Sequence, residues 1–227
     1  GRPAGVPFQV YLNTGQVYNV MAAVGGLNGT DLSGSTIKSI ANASGNCYPI
    51  AVFSGSSRTS ICPNGSGDNL IQQVFPSQAW GKRYLSFATA RSNSNTTYNI
   101  NIFRVMVKDP ATIVKNNGVV LTGLVVPGNY YEFSTTGGTG VNNSVYIESN
   151  KPVMVAQYMV STSCHGSGNG VGDPEMIYIS PIEQGIKKAV FYSTNKSAIT
   201  SNYINVVISN GGLPSLTIDG INTFTDV

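Results

Sequence analysis

Apolar and polar positions alternate over short stretches of this chain, and turn-forming residues interrupt them. Runs rich in Val, Ile, Tyr and Phe are bounded by clusters of Gly, Asn, Ser and Pro, the pattern of strands joined by turns. No segment keeps the apolar spacing of an amphipathic helix over three turns. The pattern predicts an all-β fold, with strands at residues 8–13, 16–22, 36–40, 50–53, 84–88, 98–107, 112–115, 119–125, 130–134, 145–148, 153–159, 176–179, 189–193, 203–208 and 215–218.

Five motifs occur twice, in the same order along the chain. The matched segments are 12–18 with 125–131, 47–53 with 150–156, 68–76 with 173–181, 81–87 with 185–191, and 98–102 with 203–207. The shift is 103 residues from Pro49 to Pro152 and 105 residues from Tyr98 to Tyr203. We therefore predict a duplication, with a first β unit at residues 1–118 and a second at 119–227.

Each predicted unit has seven or eight strands in about a hundred residues, the size of a β-sandwich. The predicted architecture is two duplicated β-sandwich-like units packed in tandem. The alternative is a propeller-like arrangement in which each unit supplies two four-stranded blades, because single blades are shorter, at roughly 40–50 residues.

The composition indicates a surface of neutral polar groups. Apolar residues make up 41% of the chain and charged residues only 10%, against roughly 25% charged residues in an average domain. Such a surface suits hydrogen-bonding contacts and is common outside cells. The net charge is +3, and no basic run approaches a nucleic-acid patch. No apolar stretch reaches the roughly 18 residues that a membrane span needs. We therefore expect neither nucleic-acid binding nor membrane insertion.

Three cysteines suggest one disulfide and one odd thiol in an oxidising compartment. Cys47 precedes the predicted strand 50–53 and Cys62 lies in the loop after it, which is long enough to fold back. We predict a Cys47–Cys62 bridge, closing a loop of about 15 residues worth roughly 3 kcal/mol, with Cys164 free or paired outside the chain. Cys62 and Cys164 occupy equivalent loops and would pair only if those loops converge.

Catalytic and cofactor motifs are missing from the sequence. His165 is the single histidine and adjoins Cys164 in a Gly-rich segment, where neither a catalytic pair nor a zinc site has suitable geometry. The Gly-rich run 166–172 lacks the Lys-Ser/Thr and the helix of a phosphate loop. The prediction is a non-enzymatic protein without a cofactor.

Two long loops in equivalent positions, 55–67 and 161–172, are the predicted ligand face, because loops on a rigid β scaffold commonly carry binding residues. Arg58 lies in the first loop and is either a partner contact or simply solvated. His165 lies in the second loop and is a further candidate contact.

Asp68, Asp173 and Trp80 are the remaining ligand-binding candidates. Asp68 and Asp173 are equivalent in the two units, and each is either a loop cap that accepts backbone N–H groups or one ligand of a structural calcium ion. Trp80 either packs over a sheet edge or forms a platform for a sugar ring. Its counterpart in the second unit is not aromatic, which weakens a shared binding role.

Several motifs resemble a known family. They are Asp31 to Ile37, Pro49 to Gly55, Asp68 to Gln73, Trp80-Gly81, Lys151 to Tyr158 and Asp173 to Met176. Together they resemble the N-terminal domain of IgGFc-binding protein, over nearly the whole chain. Members of this family occur in animal mucus proteins and in bacterial surface proteins, and the Asn-rich loops look more like the bacterial branch. The resemblance implies a secreted, multidomain protein and supplies no catalytic residues. Antibody binding belongs to an animal member and is not carried over.

The prediction that combines these observations is an extracellular, cell-surface interaction module. It would be an adhesin-like binding domain of a larger secreted protein, flanked by other domains, whose partner is a protein or glycan on another surface. A carbohydrate-binding module and a structural spacer are the alternatives. Exposed aromatic residues on a flat face would favour the carbohydrate reading, and a surface without hot spots would favour the spacer.

Overall fold

The fold is all-β, as predicted. The computed structural model describes residues 2–25, 28–61, 67–87, 89, 100–126, 128–135, 144–161, 173–194, 196–197, 202 and 204–222. Within these ranges the regular elements are β-strands and short 3-10 turns. No helix in the described part of the chain is long and apolar enough to cross a membrane.

The described part of the chain forms eleven strands. They are β1 (Val24–Gly25), β2 (Asn28–Gly29), β3 (Phe53–Thr59), β4 (Asp68–Gln73), β5 (Gly81–Phe87), β6 (Asn101–Val107), β7 (Val114–Asn116), β8 (Val119–Val120), β9 (Tyr130–Ser134), β10 (Ser144–Met159) and β11 (Glu175–Ile179). Strands β5 to β11 form a seven-stranded central sheet, whereas β1–β2 and β3–β4 form separate two-stranded sheets.

The central sheet is organised around β10, which has 16 residues and pairs with four antiparallel neighbours. Strands β11 and β5 follow one edge of β10, and β6 and β7 follow the other, because Val153 pairs with both Gly81 and Val107. Pairing with β5 is irregular between Glu148 and Val153. Pro152 lies in this interval and has no N–H group to give to the ladder. Strands β9 and β8 extend the sheet beyond β6 and β7.

One apolar core lies on this sheet. Its ten buried residues are Tyr84, Phe103, Val105, Val107, Val114, Tyr131, Val145, Ile147, Val153 and Val155. Strand β6 shows how the pattern produces the core, since Phe103, Val105 and Val107 are buried on one face while Arg104 lies on the other. All ten residues belong to central-sheet strands, so the stable part of the fold is this sheet.

The two flanking regions, residues 2–52 and 185–222, differ from the prediction. Strands were expected at 8–13, 16–22 and 36–40, and near the other end at 189–193 and 215–218. The described residues of both flanks contain only β1, β2, the 3-10 turn Asn210–Ser215 and an isolated bridge between Ile218 and Ile221. Residues 204–208 of the predicted strand 203–208 likewise form no strand. An apolar run becomes a strand only when a partner strand takes its N–H and C=O groups, and these runs are not paired in the structure.

The predicted repeat is mirrored by two hairpins of identical register. The β3–β4 pairs are Phe53 with Gln73, Ser54 with Gln72, Gly55 with Ile71 and Ser56 with Leu70, and the β10–β11 pairs are Ala156 with Tyr178, Gln157 with Ile177, Tyr158 with Met176 and Met159 with Glu175. Every first partner is shifted by 103 residues and every second partner by 105. This agreement supports the predicted duplication.

Two pairs of similar turns occur in the two predicted units, at shifts of 105 and 102 residues. Pro76 and Pro181 each precede a 3-10 turn, with φ near −61° and −68°. Asn117 and Asp219 each precede a glycine in a two-residue hairpin turn, with φ of 47° and 51°, the left-handed backbone that such turns require.

The central sheet combines strands from both sides of the predicted boundary between residues 118 and 119. Strands β5, β6 and β7 precede that boundary, and β8 to β11 follow it. Two separate sandwiches in tandem are therefore not confirmed, and the boundary itself stays a prediction.

Candidate functional site

The two predicted binding loops begin side by side. Strand β3 ends at Thr59, which pairs with Asp68 at the start of β4. The carbonyl oxygen of Ile61 accepts a hydrogen bond from the N–H of Ser161, with an N···O distance of 3.2 Å. Ser161 lies two residues after the end of β10 and is fully buried. The chain therefore enters both loops at the same end of the molecule.

Asp68 and Asp173 meet at this end. Burial raises the pKa of Asp173, and the charge of Asp68 and a side-chain hydrogen bond with it act in the same direction. An oxygen of Asp68 also accepts the N–H of Asn69 at 2.6 Å, so it caps the start of β4 as expected for a loop aspartate. A second carboxyl group in contact therefore disfavours the charged form of Asp173.

Arg58 lies beside the aspartate pair. Its side chain is exposed and crosses over Gly67, where an added Cβ atom would lie 3.0 Å from the Arg58 Nε. Gly67 directly precedes Asp68, so three of the predicted ligand-binding residues lie in one neighbourhood. We call Arg58, Asp68 and Asp173 the loop-end site. Arg58 belongs to β3 and not to a loop as predicted. The site presents its exposed guanidinium and the two carboxyl groups at the end of the molecule where both loops begin, which suits a polar ligand that needs donors and acceptors.

A metal ion finds limited support at the loop-end site. Within the described residues, no three His, Cys, Asp or Glu side chains come together as a metal site. A calcium ion usually takes six to eight oxygen ligands, and Asp68 and Asp173 supply two carboxyl groups. The structural calcium ion therefore stays an untested alternative.

Trp80 lies at the other end of β4, after the 3-10 turn Ser77–Ala79. Its ring is half-buried, and the Lys108 ammonium lies 4.9 Å from the ring centroid while donating to the carbonyl of Ser77. The Trp80 indole N–H is buried and has no hydrogen-bond acceptor within the described part of the chain. These contacts favour the packing role for Trp80. His165 lies outside the described residues.

One of the three cysteines lies in the first flank, and the other two lie in the predicted loops. Cys47 is exposed and free in the structure, within the unpaired first flank. Cys62 and Cys164 lie outside the described residues. The structure therefore gives no support to the predicted Cys47–Cys62 bridge, because the segment around Cys47 is not held against the β3–β4 hairpin.

Arg104 organises a polar cluster that the sequence analysis missed. Its guanidinium contacts Asp31 at 3.1 Å and Glu132 at 2.7 Å and lies 4.5 Å from the ring centroid of Tyr130. The Tyr130 hydroxyl donates to Asp31 at 3.2 Å. We call these four residues the Arg104 cluster. The cluster anchors residues 31–34 of the first flank to the central sheet. The sequence feature that could have indicated it is the lone arginine inside the apolar run of β6.

The charges of the Arg104 cluster stabilise one another. Burial alone would raise the pKa of Asp31, but hydrogen bonds from Ser33 and the charge of Arg104 hold the pKa below its ordinary value. Burial likewise disfavours the charged form of Arg104, but the hydrogen bond to Glu132 and the electrostatic interactions with Tyr158, Glu132 and Tyr130 together more than offset that effect, so the pKa of Arg104 is raised. Tyr158 lies 5.8 Å from the Arg104 guanidinium, and burial raises the pKa of its hydroxyl to about 12.

Gln157 holds a second polar group inside the sheet. Its amide nitrogen donates to the Phe87 carbonyl and to the Asn101 side chain, each at 2.8 Å, and its amide oxygen accepts from Ser86 at 2.6 Å. Gln157 and Asn101 are both buried. The network therefore ties β5, β6 and β10 together close to the point where β10 leads into the second loop.

Comparison with known proteins decides the family. The family model described as IgGFc binding protein matches residues 1–227, which is the whole chain. The chain belongs to the IgGFc binding protein family. No curated protein and no solved structure gave a match. Membership confirms the resemblance drawn from the motifs, and two segments of those motifs, Asp31 and the start of β4, lie in the Arg104 cluster and the loop-end site.

Proposed function

We propose that this member of the IgGFc binding protein family is an extracellular interaction module that binds a protein or glycan on another surface through the loop-end site. The observation that carries the proposal is the contact of Asp68 with Asp173 where both long loops begin, with the Arg58 side chain packed over the adjoining Gly67, in a chain that the family model matches from end to end. A module of this kind would act as an adhesin-like domain of a larger secreted protein.

The chemistry at the loop end favours binding over catalysis. Acyl transfer needs a nucleophile beside a base, and the single histidine of the sequence lies next to a cysteine in a Gly-rich segment. The loop-end site instead combines an exposed guanidinium with a carboxyl pair. Arginine in a partly exposed polar site is a frequent hot spot in protein interfaces, which is why we place the partner contact there and propose no reaction.

A carbohydrate-binding module is the second candidate, because several aromatic side chains are exposed. Tyr11, Tyr48 and Tyr192 are 88%, 63% and 101% exposed, and aromatic rings stack on the apolar faces of sugars. These residues lie in the flanks and not on the central sheet, so they do not form one flat platform there. A spacer role is the third candidate and predicts no specific ligand.

A binding screen of the purified chain separates these candidates. The chain would be probed against a glycan array and against an array of extracellular proteins that includes the IgG Fc fragment, after which the family is named. Saturable binding to a protein or to a surface glycan supports the interaction module. Binding that is confined to free sugars and is lost when Tyr11, Tyr48 and Tyr192 are replaced by Ala indicates the carbohydrate-binding module. Failure to bind any probe contradicts both and leaves the spacer.

A further inference from the structure

The central sheet is built by an exchange between the two predicted repeats. Strand β10 belongs to the second repeat, and the strands that flank it, β5 and β6, belong to the first. Strand β6 in turn pairs with β9 of the second repeat. Each strand of the first repeat in this sheet is therefore completed by strands from the second.

The counterpart of β10 in the first repeat is β3, which has a strand neighbour on only one edge within the described residues. The register places Phe53 to Ser56 of β3 in the position of Ala156 to Met159 of β10. In the central sheet this part of β10 is paired on both edges, with β11 and with β6. Within the described residues, β3 is paired with β4 alone. The opposite edge of β3 thus lacks the neighbour that β6 provides in the central sheet.

The second repeat contains the missing neighbours. Residues 185–191 match β5, and residues 206–208 of the segment 204–208 correspond to the first three residues of β6 under the 105-residue shift. The rest of β6 corresponds to residues 209–212, where the 3-10 turn Asn210–Ser215 begins. Both segments are apolar and exposed, with Ile186 at 75%, Val190 at 92% and Val207 at 46%. Single exposed apolar residues are ordinary, but two exposed runs with strand-forming composition point to a surface that another strand covers.

The contact that would guide these segments is already present. The second repeat's 3-10 turn, Ile182–Gln184, rests on the first repeat, since Gln184 donates to the carbonyl of Ala79 and Glu183 contacts Arg83 at 3.1 Å. Residue 185 follows this turn directly. In the first repeat, Gly81 lies two residues after the turn and is packed so closely that an added Cβ would lie 2.2 Å from Pro181, whereas in the second repeat Gly185 follows the turn directly.

We propose that residues 185–191 and 204–208 of the same chain add to the β3–β4 hairpin and form a second sheet equivalent to the central one. Residues 204–208 run along the open edge of β3. Residues 185–191 lie on the same edge of the β3 segment as β4 and pair with the residues that precede β3. Gly185 pairs with Ile50 there, as Gly81 pairs with Val153 in the central sheet. In this second sheet, the exposed apolar runs of the second flank pack against the exposed apolar runs of the first flank.

Amide hydrogen exchange of the intact chain tests the proposal. The peptides that cover 185–191 and 204–208 are expected to exchange at least about 100-fold more slowly than unstructured peptides, because paired amides exchange only after opening. The β10 peptide is the protected reference. Full exchange of both segments at the rate of an unstructured peptide would overturn the proposal.

Two further measurements make the result specific. Ala189→Pro and Val190→Pro are compared with Ser193→Pro just beyond the proposed strand. Since successive N–H groups point to opposite edges, one of the two strand variants must remove a ladder bond, so protection should fall in 185–191 and also in residues 36–52. Protection that appears only with a doubled molar mass, and that falls on dilution, would show that a second copy supplies the strands and would overturn the intramolecular pairing.

Discussion

The central sheet and the two flanks have similar strand-forming composition and opposite structural outcomes. Val153 lies in β10 and is fully buried between β5 and β6, whereas Val190 lies in the second flank and is 92% exposed. Both valines belong to apolar runs that the pattern predicts as strands. The difference is the partner, because β propensity mostly measures how well a side chain packs on neighbouring strands. The comparison shows that composition selects candidate strands and pairing decides which of them form.

Removing a side chain from the core of the central sheet should give the largest loss in the free energy of unfolding. Phe103→Ala deletes a fully buried ring that stacks on Phe133 at 5.3 Å, and such deletions cost about 3–5 kcal/mol of the free energy of unfolding. The matched change, Phe8→Ala, removes a ring that is 42% exposed in the first flank and should cost less than about 1 kcal/mol. Urea unfolding of both variants checks this, and equal losses would show that the flank is as well packed as the sheet.

The cysteine pairing should reflect the difference between the exposed first flank and the loop ends that lie side by side. Cys47 lies in the exposed flank, whereas the segments that lead into Cys62 and Cys164 are joined by the hydrogen bond between Ile61 and Ser161. In an oxidising compartment we expect Cys62–Cys164, worth about 2–4 kcal/mol, in place of the sequence-based pairing. Peptide mapping under non-reducing conditions decides the matter. A fragment that links Cys47 to Cys62 would restore the original prediction and place the first flank against the hairpin.

Breaking the buried network around Gln157 should have the next largest effect. Gln157→Leu removes the hydrogen bonds to the Phe87 carbonyl and to the side chains of Asn101 and Ser86. Buried polar groups left without partners should lower the free energy of unfolding by about 2–3 kcal/mol. Gln73→Leu, at an exposed position of β4, is the control and should change stability by less than about 0.5 kcal/mol. A similar effect of both changes would mean that the network contributes little.

The smallest predicted effect on stability is the pH dependence of the Arg104 cluster. Because the pKa of Asp31 is lowered in the folded chain, its contribution is present above the unfolded pKa of about 3.9 and is lost as pH falls through the folded pKa. Asp31 is partly exposed, so solvent screening limits the effect to about 0.5–1 kcal/mol. Asp31→Asn should reduce stability at pH 7 and leave it unchanged near pH 2. Glu175→Gln, at an exposed position of β11, should show no such pH-dependent loss, and identical pH profiles for both variants would contradict the prediction.

The sequence was most informative where local pattern and pairing agree. Residues 98–107 were predicted as a strand, and residues 101–107 of them form β6, which buries every second side chain. The shift between the repeats anticipated the shared register of the two hairpins. The pattern failed in the flanks because it contains no information on whether a partner strand is available. It also missed β4, where Asn69, Gln72 and Gln73 dilute the apolar signal.

The candidate site was predictable only where the repeat pattern identified equivalent residues. The equivalence of Asp68 and Asp173 came from the repeat, and their contact arises because the two hairpins lie side by side. Trp80 was grouped with them by residue type alone, although it follows the far end of β4. The Arg104 cluster depends on Asp31, which is 73 residues away in sequence. No local pattern predicts a contact over that distance.

The central claim, that the loop-end site binds the partner, is tested most directly by the affinity of site variants for the strongest ligand from the binding screen. Arg58→Ala and Asp173→Asn should each weaken binding at least about tenfold, equivalent to about 1.4 kcal/mol. Lys82→Ala, which removes an exposed positive charge at the start of β5, should change the dissociation constant by less than about twofold. Unchanged affinity in both site variants, with their folding intact by circular dichroism, would contradict the account and place the ligand elsewhere on the molecule.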